Sequence, residues 1–176
     1  MDHDLDELRG ALERGLAGLD EGQTQLRRGG DAVRWSIQQI AGHLRLTYAA
    51  TSMAMEARIA RGSPTKGRPS PVQRVAQLWV VRLKQFPSGR MAPEAVTADP
   101  VAAGLDGETI AAAARAEIVR MDERIGEAEA LFGNDCRCVS HMILGPMNVG
   151  QWRRFHLVHG KHHLRQIAAI RREFGV

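Results

Sequence analysis

Apolar residues recur every three or four positions through most of the chain, the period of one face of an α-helix. Leu5, Leu8, Leu12, Leu16, Leu19 and Leu26 keep this spacing and predict a first helix over residues 3 to 28. Gly15, Gly18 and Gly22 weaken it, and Gly29-Gly30 end it. Ser36-Ile37-Gln38-Gln39 is a capping box, with Trp35 and Ile40 placed as the hydrophobic staple around it. A second helix therefore runs to about Arg61, before Gly62-Ser63-Pro64. After a Gly/Pro/Lys/Arg-rich loop, Ser70-Pro71-Val72-Gln73 opens a short helix to about Gln85, its apolar side supplied by Val75, Leu78, Trp79 and Phe86.

From Pro87 to Leu105 the periodicity lapses into a long Pro/Gly/Ala-rich loop, of the kind that often wraps a site. Beyond Asp106 the helical stripe returns as Ile110, Ala114, Ile118, Met121, Ile125, Ala128 and Phe132, and Gly133-Asn134 stop it. Asp135 to Met147 reads as a second irregular stretch. Asn148 with Gln151 then caps the last helix, with Met147 and Trp152 as its staple. No strand and no internal repeat stands out. Four long amphipathic helices, one short helix and two long crossover loops predict an all-α four-helix bundle, one domain over residues 1–176.

The last helix carries the most informative chemistry. Four of the seven histidines fall in the eight residues from His156 to His163. At about 100° per residue, Trp152, His156, His159, His163, Gln166 and Ile170 share one stripe, with Arg154, Lys161, Arg165 and Arg172 opposite. Buried imidazoles need partners, and a metal ion is one. On spacing alone the helix offers His156/His159, His159/His162 and His159/His163 as ligand pairs. Periodicity favours the last, because His162 points about 60° away from His159. No Glu follows His159, so this is not the H-E-x-x-H protease signature. His43 lies roughly 11 Å into the second helix, on a face shared with Gln39, Thr47, Ala50 and Ala54. A lone histidine there is more often a satisfied core residue than a ligand.

Composition narrows the classes. Apolar residues make up 44% and charged residues 25%, which argues for a folded core. Net charge is +4, but the arginines are dispersed without interleaved aromatics, so no nucleic-acid partner is expected. No run is long and apolar enough for a transmembrane helix, and Met1-Asp2-His3-Asp4 lacks a signal-peptide order. A cytoplasmic protein with a small-molecule substrate and no membrane partner is expected, with a homodimer left open. The two cysteines, Cys136 and Cys138, form one C-x-C that fits a reducing compartment. With His141 they offer a second, weaker set of soft-metal ligands.

Two stretches resemble motifs of the DinB/YfiT-like superfamily. Trp35-Ser36-Ile37-Gln38-Gln39-Ile40-Ala41-Gly42-His43-Leu44 is similar to its second-helix motif. Gln151-Trp152-Arg153-Arg154-Phe155-His156 through His159-Gly160-Lys161-His162-His163-Leu164-Arg165-Gln166-Ile167 is similar to its last-helix motif. Phe86 to Pro93 and Leu144-Gly145-Pro146-Met147 resemble connecting segments of one branch. The resemblance implies a four-helix bundle with a divalent metal, often zinc or nickel, on His43, His159 and His163. It also implies enzymes that use a low-molecular-weight thiol such as bacillithiol, mycothiol or glutathione, as S-transferases or isomerases. Metal-dependent hydrolysis, or a non-catalytic metal-stabilised binding or stress-response module, are the alternatives. Around the metal, His156, His162, Gln166 and Gln39 are candidates to orient ligands or substrate. No catalytic acid or base, and no role for Cys136 or Cys138, comes with the motifs.

Overall fold

The computed structural model describes residues 1–83 and 103–176. The helices along it are α1 (His3–Leu16), a single turn α2 (Glu21–Thr24), α3 (Ile37–Ala60), α4 (Pro71–Gln77), α5 (Gly107–Phe132) and α6 (Val149–Phe174). A π-type turn, Leu78–Arg82, continues α4, and a short antiparallel pair, β1 (Arg137–His141) and β2 (Gly145–Asn148), precedes α6. The four long helices are α1, α3, α5 and α6. α3 packs chiefly on α5 and α1 on α6, while α1 also meets α5 and α3 meets α6. Their cyclic order is therefore α1–α6–α3–α5, a four-helix bundle with α3 and α6 as neighbours.

Helix starts follow the sequence closely. Ser36, Ser70 and Asn148 each accept from the backbone N–H three residues on, and Gln39, Gln73 and Gln151 reach back to the cap. Asp106 caps α5 through Thr109 N–H at 2.6 Å. Leu5, Leu8, Leu12 and Leu16 from α1 and Ile118, Met121 and Ile125 from α5, all on the predicted stripes, are essentially inaccessible, and Leu44, Tyr48 and Met55 from α3 join them in the core. α6 presses onto α1 at Gly160, where a Cβ would stand 2.3 Å from Leu8 Cδ1. The turn bearing His159 and His163 is seated on α1 by that contact.

Three expectations need correction. The first helix ends at Leu16, not near residue 28, because Ala17 is extended and Gly18 takes a left-handed φ of 71°. Leu19 and Leu26 still point inward, carried by the turn and by α2, whose Asp20/Gln23 capping box is complete. The stretch 135–147 is not irregular: Val139, Ser140 and His141 pair with Met147, Pro146 and Gly145. A bulge between Arg137 and Val139 breaks the alternation that marks a strand, so Cys138 and Val139 are both buried. Finally, the apolar residues of the short helix do not face the core. Val75, Leu78 and Trp79 are at least half exposed, and Gln77 and Val80 are the buried ones. Phe86 and most of the predicted loop 87–105 lie outside the described residues. Residues at its end are pinned, with Gln38 donating to Ala103 O and accepting from Leu105 N–H.

Candidate metal centre

α3 and α6 bring His43, His159 and His163 together, all three buried. The Nε2 atom of His159 lies 3.3 Å from Nε2 of His43 and 3.1 Å from Nε2 of His163. The rings meet edge to face, with interplanar angles of 80°, 63° and 89°, so their Nε2 edges point at one spot rather than stacking. A single N–H···N bond accounts for one such approach, not for two at the same nitrogen. Two nitrogens bound at about 2.0–2.1 Å to one tetrahedral zinc stand roughly 3.3–3.4 Å apart. The cluster fits a divalent ion.

Its electrostatics fit as well. Burial, and then the neighbouring His163 and His43, hold His159 well below the ordinary imidazole range. His163 is lowered to about 4 by burial first and His43 second. These rings stay neutral at physiological pH, the form that ligates. His163 also has its tautomer set. Gln166 Oε1 accepts from Nδ1–H at 2.9 Å, which leaves the Nε2 lone pair for the cluster. The same amide donates from Nε2 to His162 Nε2 at 3.3 Å. Gln166 thus orients one candidate ligand and ties the half-buried His162 beside it.

The other sequence candidates sort differently. His156 is fully buried, bonds Thr51 Oγ1 at 3.0 Å and stacks on Trp152, so it is a core histidine beside the cluster. Burial, then His141, lowers it to about 3. Gln39 is spent on the helix cap: its Oε1 accepts from Ser36 N–H at 3.0 Å and from Arg27 Nη1 at 2.6 Å. Cys136, Cys138 and His141 do not converge into a ligand group among the described residues. Cys138 is buried, its thiol pushed up to about 11, and His141 Nδ1 closes the hairpin by accepting from Ile143 and Leu144 N–H. Exposed His3 and Glu7 also cluster with the partly buried Asp4, but Asp4 is engaged by Arg154 and Glu7 by Lys161.

One contributor was not foreseen at the site. Trp35, read from sequence as a staple, lies with its ring 5.1 Å from that of His43 and stacks at 6.5 Å on that of His163. The staple position immediately before a helix that carries a ligand two turns in was the available signal. Two of the surface cavities among the described residues, of about 640 and 700 Å³, are lined by none of the three histidines.

The family model described as the DinB superfamily matches residues 4–167. The chain belongs to the DinB superfamily. The match spans all four long helices of this DinB-superfamily protein and includes each of its three clustered histidines. No curated protein and no solved structure matches it.

Proposed function

We propose that this DinB-superfamily protein is a metal-dependent enzyme that holds one divalent ion, zinc or nickel, on His43, His159 and His163. Its reaction is transfer of a low-molecular-weight thiol to a small electrophilic substrate. The observation that supports this reading is the convergence of three buried Nε2 atoms, two contacts of 3.1 and 3.3 Å meeting at His159. Three neutral protein ligands leave room for a further ligand, as catalytic rather than structural zinc sites do. An ion there supplies uncompensated positive charge, which lowers the pKa of a thiol or of water brought to it.

The residues of the chain divide the remaining work. Gln166 fixes the His163 ring, and burial keeps the His159 and His163 imidazoles unprotonated. Trp35 places a flat apolar surface against His43 and His163, which shields that side from water and suits a planar electrophile. In the transfer, a sulfur–carbon bond forms, the leaving group departs from carbon with its electron pair, and the thiol proton passes to solvent. No helix among the described residues is long and apolar enough to cross a membrane.

The test uses metal-loaded protein, monochlorobimane and each of glutathione, bacillithiol, mycothiol and coenzyme A. Catalysed loss of chloride with one thiol, abolished in His159→Ala, supports transfer. Metal-dependent hydrolysis of an ester panel without any thiol-dependent rate would replace it by the hydrolase reading. Tight metal binding with neither activity would leave a metal-stabilised binding module.

A further inference from the structure

These two surface cavities differ in how the charge among their described lining residues is balanced. The one of about 700 Å³ is lined by Arg28, Arg34, Asp31 and Glu173 around Gly29, so its cations face their own acids. Arg34 pairs with Asp31 at 3.4 Å, and Glu173 accepts from Gly29 N–H. The other, of about 640 Å³, lies between the α4/π segment and the start of α6. Arg74, Arg82 and Arg154 line it, and among the described residues no carboxylate does. Arg154 is engaged from behind by Asp4 at 3.0 Å. Among the described residues Arg74 and Arg82 have no acidic partner. Two exposed guanidinium groups and the partly exposed Arg154 thus bring positive charge to one concavity, an arrangement that favours entry of an anion.

The rest of the wall supports a built cleft. Gln77 is buried, and its Nε2 donates to Leu144 O at 2.7 Å and Pro146 O at 3.0 Å, locking α4 to the β-hairpin. Gln151, a cap residue of α6, donates to Gln77 Oε1 at 3.4 Å. Leu78 and Val81 add an apolar side. The positive end of the 26-residue helix α6 reinforces the same sign of potential. The volume is that of a small-molecule pocket. Gln151 and Arg154 point roughly 80° and 140° away from His159 around the α6 axis and precede it by about 12 and 7.5 Å along that axis, and none of the three histidines lines the cleft, so it stands apart from the histidine cluster.

We propose that the Arg74/Arg82/Arg154 cleft binds a small dianion, a phosphate monoester or a dicarboxylate, with a short apolar portion against Leu78 and Val81. The guanidiniums of Arg74 and Arg82 match two negative charges, and their planar forks suit either oxyanion. The site does not depend on the metal or on the proposed transfer chemistry.

Thermal shift and calorimetric titration of the full chain with inorganic phosphate and with succinate, against chloride at equal ionic strength, test it. The expected result is saturable binding of at least one dianion. Affinity should fall tenfold or more in Arg74→Gln and in Arg82→Gln, and stay within twofold in Arg115→Gln, an exposed cation on α5 far from the cleft in sequence. Stronger binding of phosphate assigns the phosphate class, and stronger binding of succinate the dicarboxylate class. A response no larger than that of chloride, or one that survives both cleft substitutions, overturns the proposal.

Discussion

Acid should unfold this protein through its buried histidines, and His156 allows the size of the effect to be worked out. Its ring is fully buried between Trp152, Phe155 and Tyr48, and burial, then His141, holds it at about 3. In the unfolded chain the same imidazole titrates near 6.5. The folded form therefore keeps the ring neutral while the unfolded form takes up a proton below pH 6.5. Stability is complete above that pH and falls as pH drops towards 3. Each tenfold change in proton activity within the window costs about 1.4 kcal/mol, so at pH 4.5 the penalty from His156 alone is roughly 2.7 kcal/mol. His141 and His163, each lowered to about 4 chiefly by burial, act in the same direction over most of the window. Because His141 itself contributes to lowering His156, the contributions do not simply add, but together they are a sizeable fraction of a domain's stability of about 5–15 kcal/mol. Chelator-treated protein should thus lose its far-UV circular dichroism cooperatively between about pH 6 and 4. His156→Gln can still bond Thr51 but does not titrate. It should be less stable at pH 8 and should lose about 2.7 kcal/mol less between pH 7 and 4.5. If the variant and the parent lose stability in parallel across that range, the burial argument is wrong.

Three further outcomes follow from named contacts. Gln166→Ala removes the acceptor that sets the His163 tautomer, so divalent-metal affinity should drop about 10- to 100-fold. A competitive chelator titration reads this directly, with circular dichroism confirming an unchanged fold. Because Trp35 lies 5.1 Å from His43 and 6.5 Å from His163, nickel or cobalt loading should quench tryptophan emission. Trp35→Phe should remove most of that change, and quenching that persists in full would place the ion elsewhere. Gly107→Ala puts a Cβ 1.9 Å from the backbone carbonyl of Leu16, which should cost about 3 kcal/mol or more and lower Tm by roughly 6–12 °C. Gly126→Ala, in the same helix with nothing within 4 Å, should instead gain up to about 1 kcal/mol, so calorimetry of the pair checks the sign.

Where the chain carries its own punctuation, the fold was legible. Ser36, Ser70 and Asn148 each announce a helix by a cap whose partner is three residues away, and all three boxes form. Local chemistry decides such features, so the rest of the fold does not need to be known. The leucine spacing misled for the opposite reason. Leu19 and Leu26 face the core in register with α1, yet a left-handed Gly18 separates them from it. Burial rewards an inward-facing side chain whatever backbone delivers it, so hydrophobic spacing outlasts the helix. The Asp20-x-x-Gln23 cap inside that stretch was the available sign of a restart. The short helix erred similarly, since Val75, Leu78 and Trp79 are spaced like a core stripe but remain at least half exposed.

The site was legible to the extent that helical geometry controls it. His159 and His163 are one turn apart on one face, so their convergence follows from α6 being a helix at all. The place of His43 depends on tertiary packing, namely α3 lying beside α6 with His43 level with the third and fourth turns of α6. Periodicity could not supply that relation, and only the resemblance of both helices to one superfamily brought it in. The same packing separates the candidates that spacing left equivalent. His156 lies one turn before His159, but at that level α3 presents Tyr48 and Thr51, a hydroxyl and an aromatic edge rather than a third imidazole. His156 accordingly becomes a hydrogen-bonded core residue, while His159, three residues later, meets His43. Which histidine becomes a candidate ligand is therefore decided across the α3–α6 interface, by the residue that α3 sets opposite each turn.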